Sequence, residues 1–160
     1  MEATKISKYI IAKYDNVGDL ITNKKLQKLL YYIEAWSLVH LDSLIDEDFE
    51  AWVHGPVIPS LYQEYKHFSY SPIVLKYEKD VDSSKYIKSF EIESKLNQSY
   101  FTLIDAVLNK YGILSSRELE LLSHSENPWL TIRKNLSPID NCSDIISKKM
   151  IKEYYSSLIS

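Results

Sequence analysis

Cysteine, glycine and arginine are all scarce in this 160-residue chain. Cys142 is the lone cysteine, which excludes an internal disulfide and any zinc site built on thiolates. Gly18, Gly55 and Gly112 are the only glycines, too far apart for a GxGxxG turn or a P-loop, so a glycine-rich phosphate cradle is excluded. Residues 1–20 carry Lys5, Lys8, Lys13, Asp15 and Asp19 and hold no apolar stretch of signal-peptide length. No run approaches the ~18 apolar residues of a membrane span. The expectation is a cytoplasmic protein with no membrane contact, although a cysteine-poor secreted chain would show the same count. Excess positive charge is missing too: nineteen basic residues face twenty-two acidic ones, for a net charge of -3. No nucleic-acid partner is expected from that balance. Of the nineteen, only Arg117 and Arg133 are arginine and able to form planar bidentate clamps.

Aromatic residues are abundant by contrast, with 13 Tyr, 3 Trp and 4 Phe. Tyr and Trp join an apolar body to a hydrogen-bonding tip and are enriched where proteins meet proteins. An A/T-rich genome would raise the tyrosine count as well, and composition leaves both explanations open. The hydrophobic share of 45% and charged share of 26% are those of an ordinary folded domain. At this length a full core can be buried without metal or disulfide.

Helical periodicity dominates the chain. Ile6, Tyr9, Ile10 and Lys13 mark a first amphipathic helix over about 3–14. Thr22 is a suitable N-cap for a second helix over about 23–40, in which Leu26, Leu29, Leu30 and Ile33 recur at i, i+3, i+4 and i+7 and Trp36 extends the face. Lys24, Lys25, Gln27 and Lys28 then fall on the opposite, solvent side. Residues 42–55 alternate weakly and favour an extended stretch or hairpin. Gly55-Pro56-Val57-Ile58-Pro59 reads as a rigid turn, with Gly55 pushed toward extended geometry by the following proline and Pro59 opening a third helix to about His67. That helix turns Leu61, Tyr62 and Tyr65 inward. Pro72 to Leu75 is read as a short strand, followed by a long surface loop within a weakly patterned zone over 69–95. Helix returns at about 96–111, lined by Leu96, Leu103, Ile104, Val107 and Leu108 and stopped by Gly112. Ser115 and Glu118 have capping-box spacing, ahead of Leu119, Leu121 and Leu122. Pro128 and Trp129 open a short helical turn, and Ser147 caps a last helix with Met150, Ile151, Tyr154, Tyr155 and Leu158 inside. The expected architecture is mainly α: one compact domain over 1–160, six or seven helices, and a small hairpin or extended corner near 44–57.

Candidate chemistry is thin. Asp46, Glu47, Asp48 and Glu50 form an acidic knot, but without the central glycine and twelfth-position glutamate of a calcium loop it reads as a solvated loop. Ser123, His124, Ser125 and Glu126 supply hydroxyl, imidazole and carboxylate in a row, yet neighbours at one helix end point apart, and capping is the better account. His40, His54, His67 and His124 lack paired spacing for a metal. Cys142 sits in a polar turn with no local cation to activate it. Lys24, Lys25 and Lys28 form a small basic face, either plain solvated surface or a landing site for an acidic partner. Trp52-Val53-His54-Gly55-Pro56-Val57 is a corner of fixed geometry, placed to bury Trp52 against the second helix and also to present a binding surface.

The order of these residues resembles a known family. Lys25-Leu26-Gln27-Lys28-Leu29-Leu30-Tyr31-Tyr32 after Thr22, then Trp36, then Phe49-Glu50-Ala51-Trp52-Val53-His54-Gly55-Pro56-Val57-Ile58-Pro59 with Tyr62, is similar to the Panacea domain, a family that includes SocA-like antitoxins and GepA-like phage-associated proteins. Leu122, His124, Pro128 and Trp129 resemble its C-terminal signature, with Ser123 at a position where the family has threonine. The resemblance spans about residues 4–158. It implies a mostly helical domain without enzyme activity or cofactor, acting as an antitoxin that neutralises a cognate protein toxin, encoded by an adjacent gene, through direct contact. One branch implies instead an adaptor that delivers its toxin to a AAA+ protease, and the phage-associated members leave open a regulator of host proteins. The chain begins at the Panacea helices, so the resemblance gives no reason to expect operator binding. Lys25, Lys28, Tyr31 and His54 are the expected partner contacts. Leu26, Leu29, Leu30, Trp36, Trp52, Gly55, Pro56, Pro128 and Trp129 are expected to be structural, with the three tryptophans in the core.

Overall fold

Apolar positions that repeat at helical spacing need a common interior, and the second helix supplies it. The computed structural model describes residues 1–75 and 81–160. Among them lie eight α-helices: α1 (Ala3–Asn16), α2 (Asn23–His40), α3 (Pro59–Tyr65), α4 (Ser83–Glu93), α5 (Gln98–Tyr111), α6 (Ser116–His124), α7 (Asn127–Arg133) and α8 (Lys148–Ser157). Three short strands, β1 (Phe49–Trp52), β2 (Gly55–Val57) and β3 (Ile145–Ile146), form an antiparallel sheet in the order β2-β1-β3. The domain is mainly α, as the periodicity predicts.

Helix α2 is the central post, packed against α1, α5, α6, α8 and β2. Leu26, Leu29, Leu30 and Ile33 are wholly buried along it. Thr22 caps it by accepting from the Lys25 amide at 3.3 Å. Its buried polar residues each hold a neighbouring element. The Glu34 carboxylate accepts from the Leu44 and Ile45 amides, both at 2.9 Å, and from the Ser43 hydroxyl. Tyr32 donates to Glu126 at 2.6 Å while its ring stacks on Tyr111 at 4.1 Å. Gln27 pairs with both backbone groups of Ile58, at 2.9 and 3.3 Å, as a strand neighbour would. A helix buried on nearly all sides must satisfy such groups internally.

That encirclement corrects the assignment of Gln27 and Lys28 to the solvent side: both are buried. The amphipathic pattern marks where apolar residues point, but α2 also packs along its polar flank, against β2 and α6. The interior list contracts elsewhere. Tyr62, Leu121 and Leu158 are exposed, Trp36 and Trp52 are half-buried, and of the three tryptophans only Trp129 is buried.

The zone over 69–95 departs most from expectation. Pro72 forms a single bridge to Thr22, and the Ile73 amide donates to the Ile21 carbonyl at 2.8 Å, but no strand forms. Part of the expected loop, 76–80, lies outside the described residues. Beyond it stands α4 instead of a loop, capped by Asp82. It packs on α1 by stacking Phe90 on Tyr9 at 4.7 Å, and the Tyr9 hydroxyl donates to Glu91. Its inner face is half-buried Tyr86, Ile87 and Phe90, and so short a stripe is hard to see among the surrounding charges.

The acidic knot is not a free loop. Asp46 pairs with the N-terminal ammonium at 2.6 Å, Glu47 accepts from the Ala3 amide at 2.8 Å, and Glu50 accepts from the Trp52 indole at 2.6 Å.

Candidate partner-binding cleft

The hairpin β1–β2 turns through Val53 and His54, with Trp52 paired to Gly55. Val53 and His54 do not take a positive φ, and Gly55 follows them at +100°, the place where a type I hairpin turn is completed by a positive-φ residue. Gly55 lies in β2, extended as the Gly-Pro order predicts, while its positive φ is not something the proline sets. Gly55 is also required sterically: a Cβ there would lie 2.6 Å from Lys28 Cε and 2.8 Å from Ser123 Oγ. Both α2 and α6 therefore close directly onto the corner backbone.

Four side chains pin that corner. Lys28 Nζ donates to the Pro56 carbonyl at 3.0 Å. Trp129 donates its indole N–H to the Trp52 carbonyl at 2.8 Å, and His124 stacks on Trp129 at 3.9 Å. Arg133 is buried with its Nη1 on the Ala51 carbonyl at 2.9 Å and its Nη2 on the Asp140 carbonyl at 2.6 Å, tying β1 to the segment 137–140. Gln27 holds Ile58. The motif residues thus read as one brace built from α2, the hairpin and α7.

Beside this brace opens a cleft of about 1070 Å³. Its floor is the N-terminal part of α2, with Asn23, Gln27 and Lys28. Trp52 and Tyr62 form an aromatic wall, rings 5.0 Å apart in an edge arrangement, and Tyr62 is 38% exposed. Tyr70 and Ile139, both strongly exposed, stand at the margins, and Cys142 and Ser143 close the far side.

Charge within the cleft is unevenly matched. Glu120 on α6 is 3% exposed and accepts from Lys24 and from His54 Nδ1 (2.8 Å), with Arg117 at 3.6 Å. Burial alone would push its carboxyl up, but those hydrogen bonds and charges outweigh it and hold it at about 2. Lys28, only 1% exposed, has no such carboxylate against its ammonium. Burial, aided by the Lys24 charge and opposed by Glu120, brings it down from 10.5 to about 7. His124 is lowered by burial, against the pull of Glu120, and its Nε2 is buried without a partner among the described residues.

The four expected contacts separate. His54 is exposed at the cleft margin, and Lys28 lies in the floor. Lys25 reaches away from the cleft, donating to the Gly112 carbonyl at 2.6 Å. Tyr31 is 1% exposed, its ring against Tyr32, Phe49 and Tyr155, so it is a core residue and not a reachable contact. The three lysines do not form one face; each serves a different intramolecular acceptor. Ser123, His124, Ser125 and Glu126 point apart: the two hydroxyls bond back to Glu120 and Leu122, His124 lies on Trp129, and Glu126 meets Tyr32. Asn23, Tyr62, Glu120 and Arg133 were missed as site residues: Tyr62 stands in the family pattern but reads as an inward residue, the scarcity of arginine singles out Arg133, and no spacing marks Asn23 or Glu120. What the cleft offers chemically is a buried cation, a polar floor and an aromatic wall, features suited to holding a polypeptide.

The family model for the SocA-like antitoxin Panacea domain matches residues 26–130, a span that contains Lys28, the hairpin, Glu120 and Trp129. Antitoxin SocA of Caulobacter vibrioides (strain NA1000 / CB15N) is 30% identical over 132 residues, covering 81% of this chain and 69% of that protein. No solved structure matches the chain.

Proposed function

Because the chain belongs to the SocA-like Panacea domain family of antitoxins, we propose that it neutralises a cognate protein toxin by direct, stoichiometric binding. The observation that carries this reading is the aromatic-walled cleft beside the braced corner, lined by Lys28, Trp52 and His54. Preformed backbone geometry lowers the ordering cost of association, and a rigid corner holds Trp52 and Tyr62 where a partner can bury them. Anchors of this type carry most of the affinity in interfaces of about 1,200–2,000 Å². No turnover is required of the protein in this role.

The experiment is co-expression of the tagged chain with the product of the adjacent reading frame, followed by size exclusion and growth rescue. A stable complex with rescue supports the reading. Rescue that disappears in a host lacking AAA+ proteases replaces blocking with delivery for degradation. No complex and no rescue removes the toxin from the account.

A further inference from the structure

A buried ammonium with a single carbonyl acceptor is an unfinished site. Lysine carries three donors. Among the described residues one of them is used, on the Pro56 carbonyl, while Glu120 is occupied by Lys24, His54 and Arg117. The stem of Lys28 lies against Gly55 and the residue is 1% exposed, so its charge sits away from bulk water. One helical turn earlier, Asn23 is buried in the same floor, with its Nδ2 on the Tyr62 carbonyl at 3.4 Å and its Oδ1 without a partner. Spare donors and a spare acceptor therefore lie in the floor of one cleft.

We propose that this floor is the seat of an acidic side chain from an extended segment of the bound partner, its carboxylate received by Lys28 and a neighbouring peptide N–H by Asn23 Oδ1. The proposal rests on the reading of the cleft as the partner-binding face. Charge complementarity supports it: with Lys24 already paired to Glu120, Lys28 and Lys66 line the cleft without a carboxylate partner among the described residues, in a chain whose net charge is -3. An apolar segment would seal the ammonium away unpaired. A bare phosphate would satisfy Lys28, and its remaining hydroxyl the Asn23 acceptor, but it offers nothing to the aromatic wall of Trp52 and Tyr62. A polypeptide with an aspartate or glutamate brings both groups at once and offers its flanking residues to Trp52 and Tyr62.

The test needs no knowledge of the toxin. The full chain, labelled with 13C at lysine Cε, is titrated with a blocked aspartate-containing tetrapeptide, its asparagine counterpart, and inorganic phosphate. The aspartate peptide is expected to move the Lys28 signal and to bind about tenfold or more tightly than the asparagine peptide. Lys28→Met should weaken binding of the aspartate peptide by about tenfold or more in calorimetry. Should that variant fail to fold, Asn23→Asp, which sets a competing carboxylate beside Lys28, must also suppress it. Equal response to both peptides, a phosphate response as strong as the aspartate one, or a still Lys28 signal at millimolar peptide overturns the proposal. So does concentration-dependent dimerisation that vanishes in Lys28→Met, which would make a second copy the occupant. Growth rescue reports separately on the toxin. An acidic-peptide response without rescue keeps the acidic seat and discards the antitoxin reading, whereas rescue without that response does the reverse.

Discussion

Replacing Lys28 with methionine tests the energetic core of this account in the free protein. Methionine has a similar length and no charge, so the stem packing against Gly55 survives while the buried ammonium disappears. In the unfolded chain Lys28 holds its proton up to the ordinary value of 10.5; in the folded chain it holds it only to about 7. Between those values the unfolded state binds more protons, so the native protein gains stability as pH rises. From about pH 6 to about pH 9.5 the gain is about 3 kcal/mol, or about 6–12 °C in Tm for a chain of this size. The groups facing Lys28 are Lys24 on its own helix and Glu120 and His124 on α6. These groups remain in the variant, and His124 there loses the lowering effect of the Lys28 charge. Urea unfolding followed by tryptophan fluorescence at several pH values gives the two curves. Lys28→Met should be the more stable protein at pH 6, with an advantage that shrinks steadily toward pH 9.5. A difference that stays flat with pH would refute the claim of an uncompensated buried cation.

Other consequences are as direct. Glu120→Gln removes the carboxylate that joins Lys24, His54 and Arg117 and should cost about 2 kcal/mol at neutral pH; because that carboxyl is depressed to about 2, the cost should fade as pH drops from about 4.5 toward 2, as read by thermal melts. Gly55→Ala combines a positive φ with contacts under 3 Å to Lys28 and Ser123, and should destabilise by about 2–3 kcal/mol in urea titrations. Tyr62→Ala, by contrast, should leave Tm within about 2 °C and weaken partner capture by about tenfold or more in calorimetry, since the residue is an exposed wall and not core.

The hairpin, the braced corner and most helix boundaries were legible because each has a local cause. Thr22, Ser115 and Ser147 all cap as their spacing predicts, and α2 spans the residues assigned to it. Legibility failed where the cause was tertiary. Lys28 and Tyr31 read as surface because charge and hydroxyl argue for water, yet α2 is enclosed even on its polar flank. Helix α4 was hidden because its contact with α1 needs only three half-buried apolar side chains. The floor of the cleft was invisible for a similar reason: Asn23 and Lys28, and the Glu120 that neighbours them, have nothing in common until α2 and α6 lie side by side. The basic face read from Lys24, Lys25 and Lys28 held a genuine element, a cation in the floor, but not in the form of a continuous patch.

The most direct measurement is the hydrogen-exchange footprint of the co-purified toxin on this chain. The account predicts added protection at the Trp52–Ile58 corner, at Tyr62–Tyr70 and at 139–143, the walls of the cleft, with α4 and α8 unchanged. Protection confined to α4 or α8, with the corner exchanging as in the free protein, would contradict the claim that the cleft is where the partner is held.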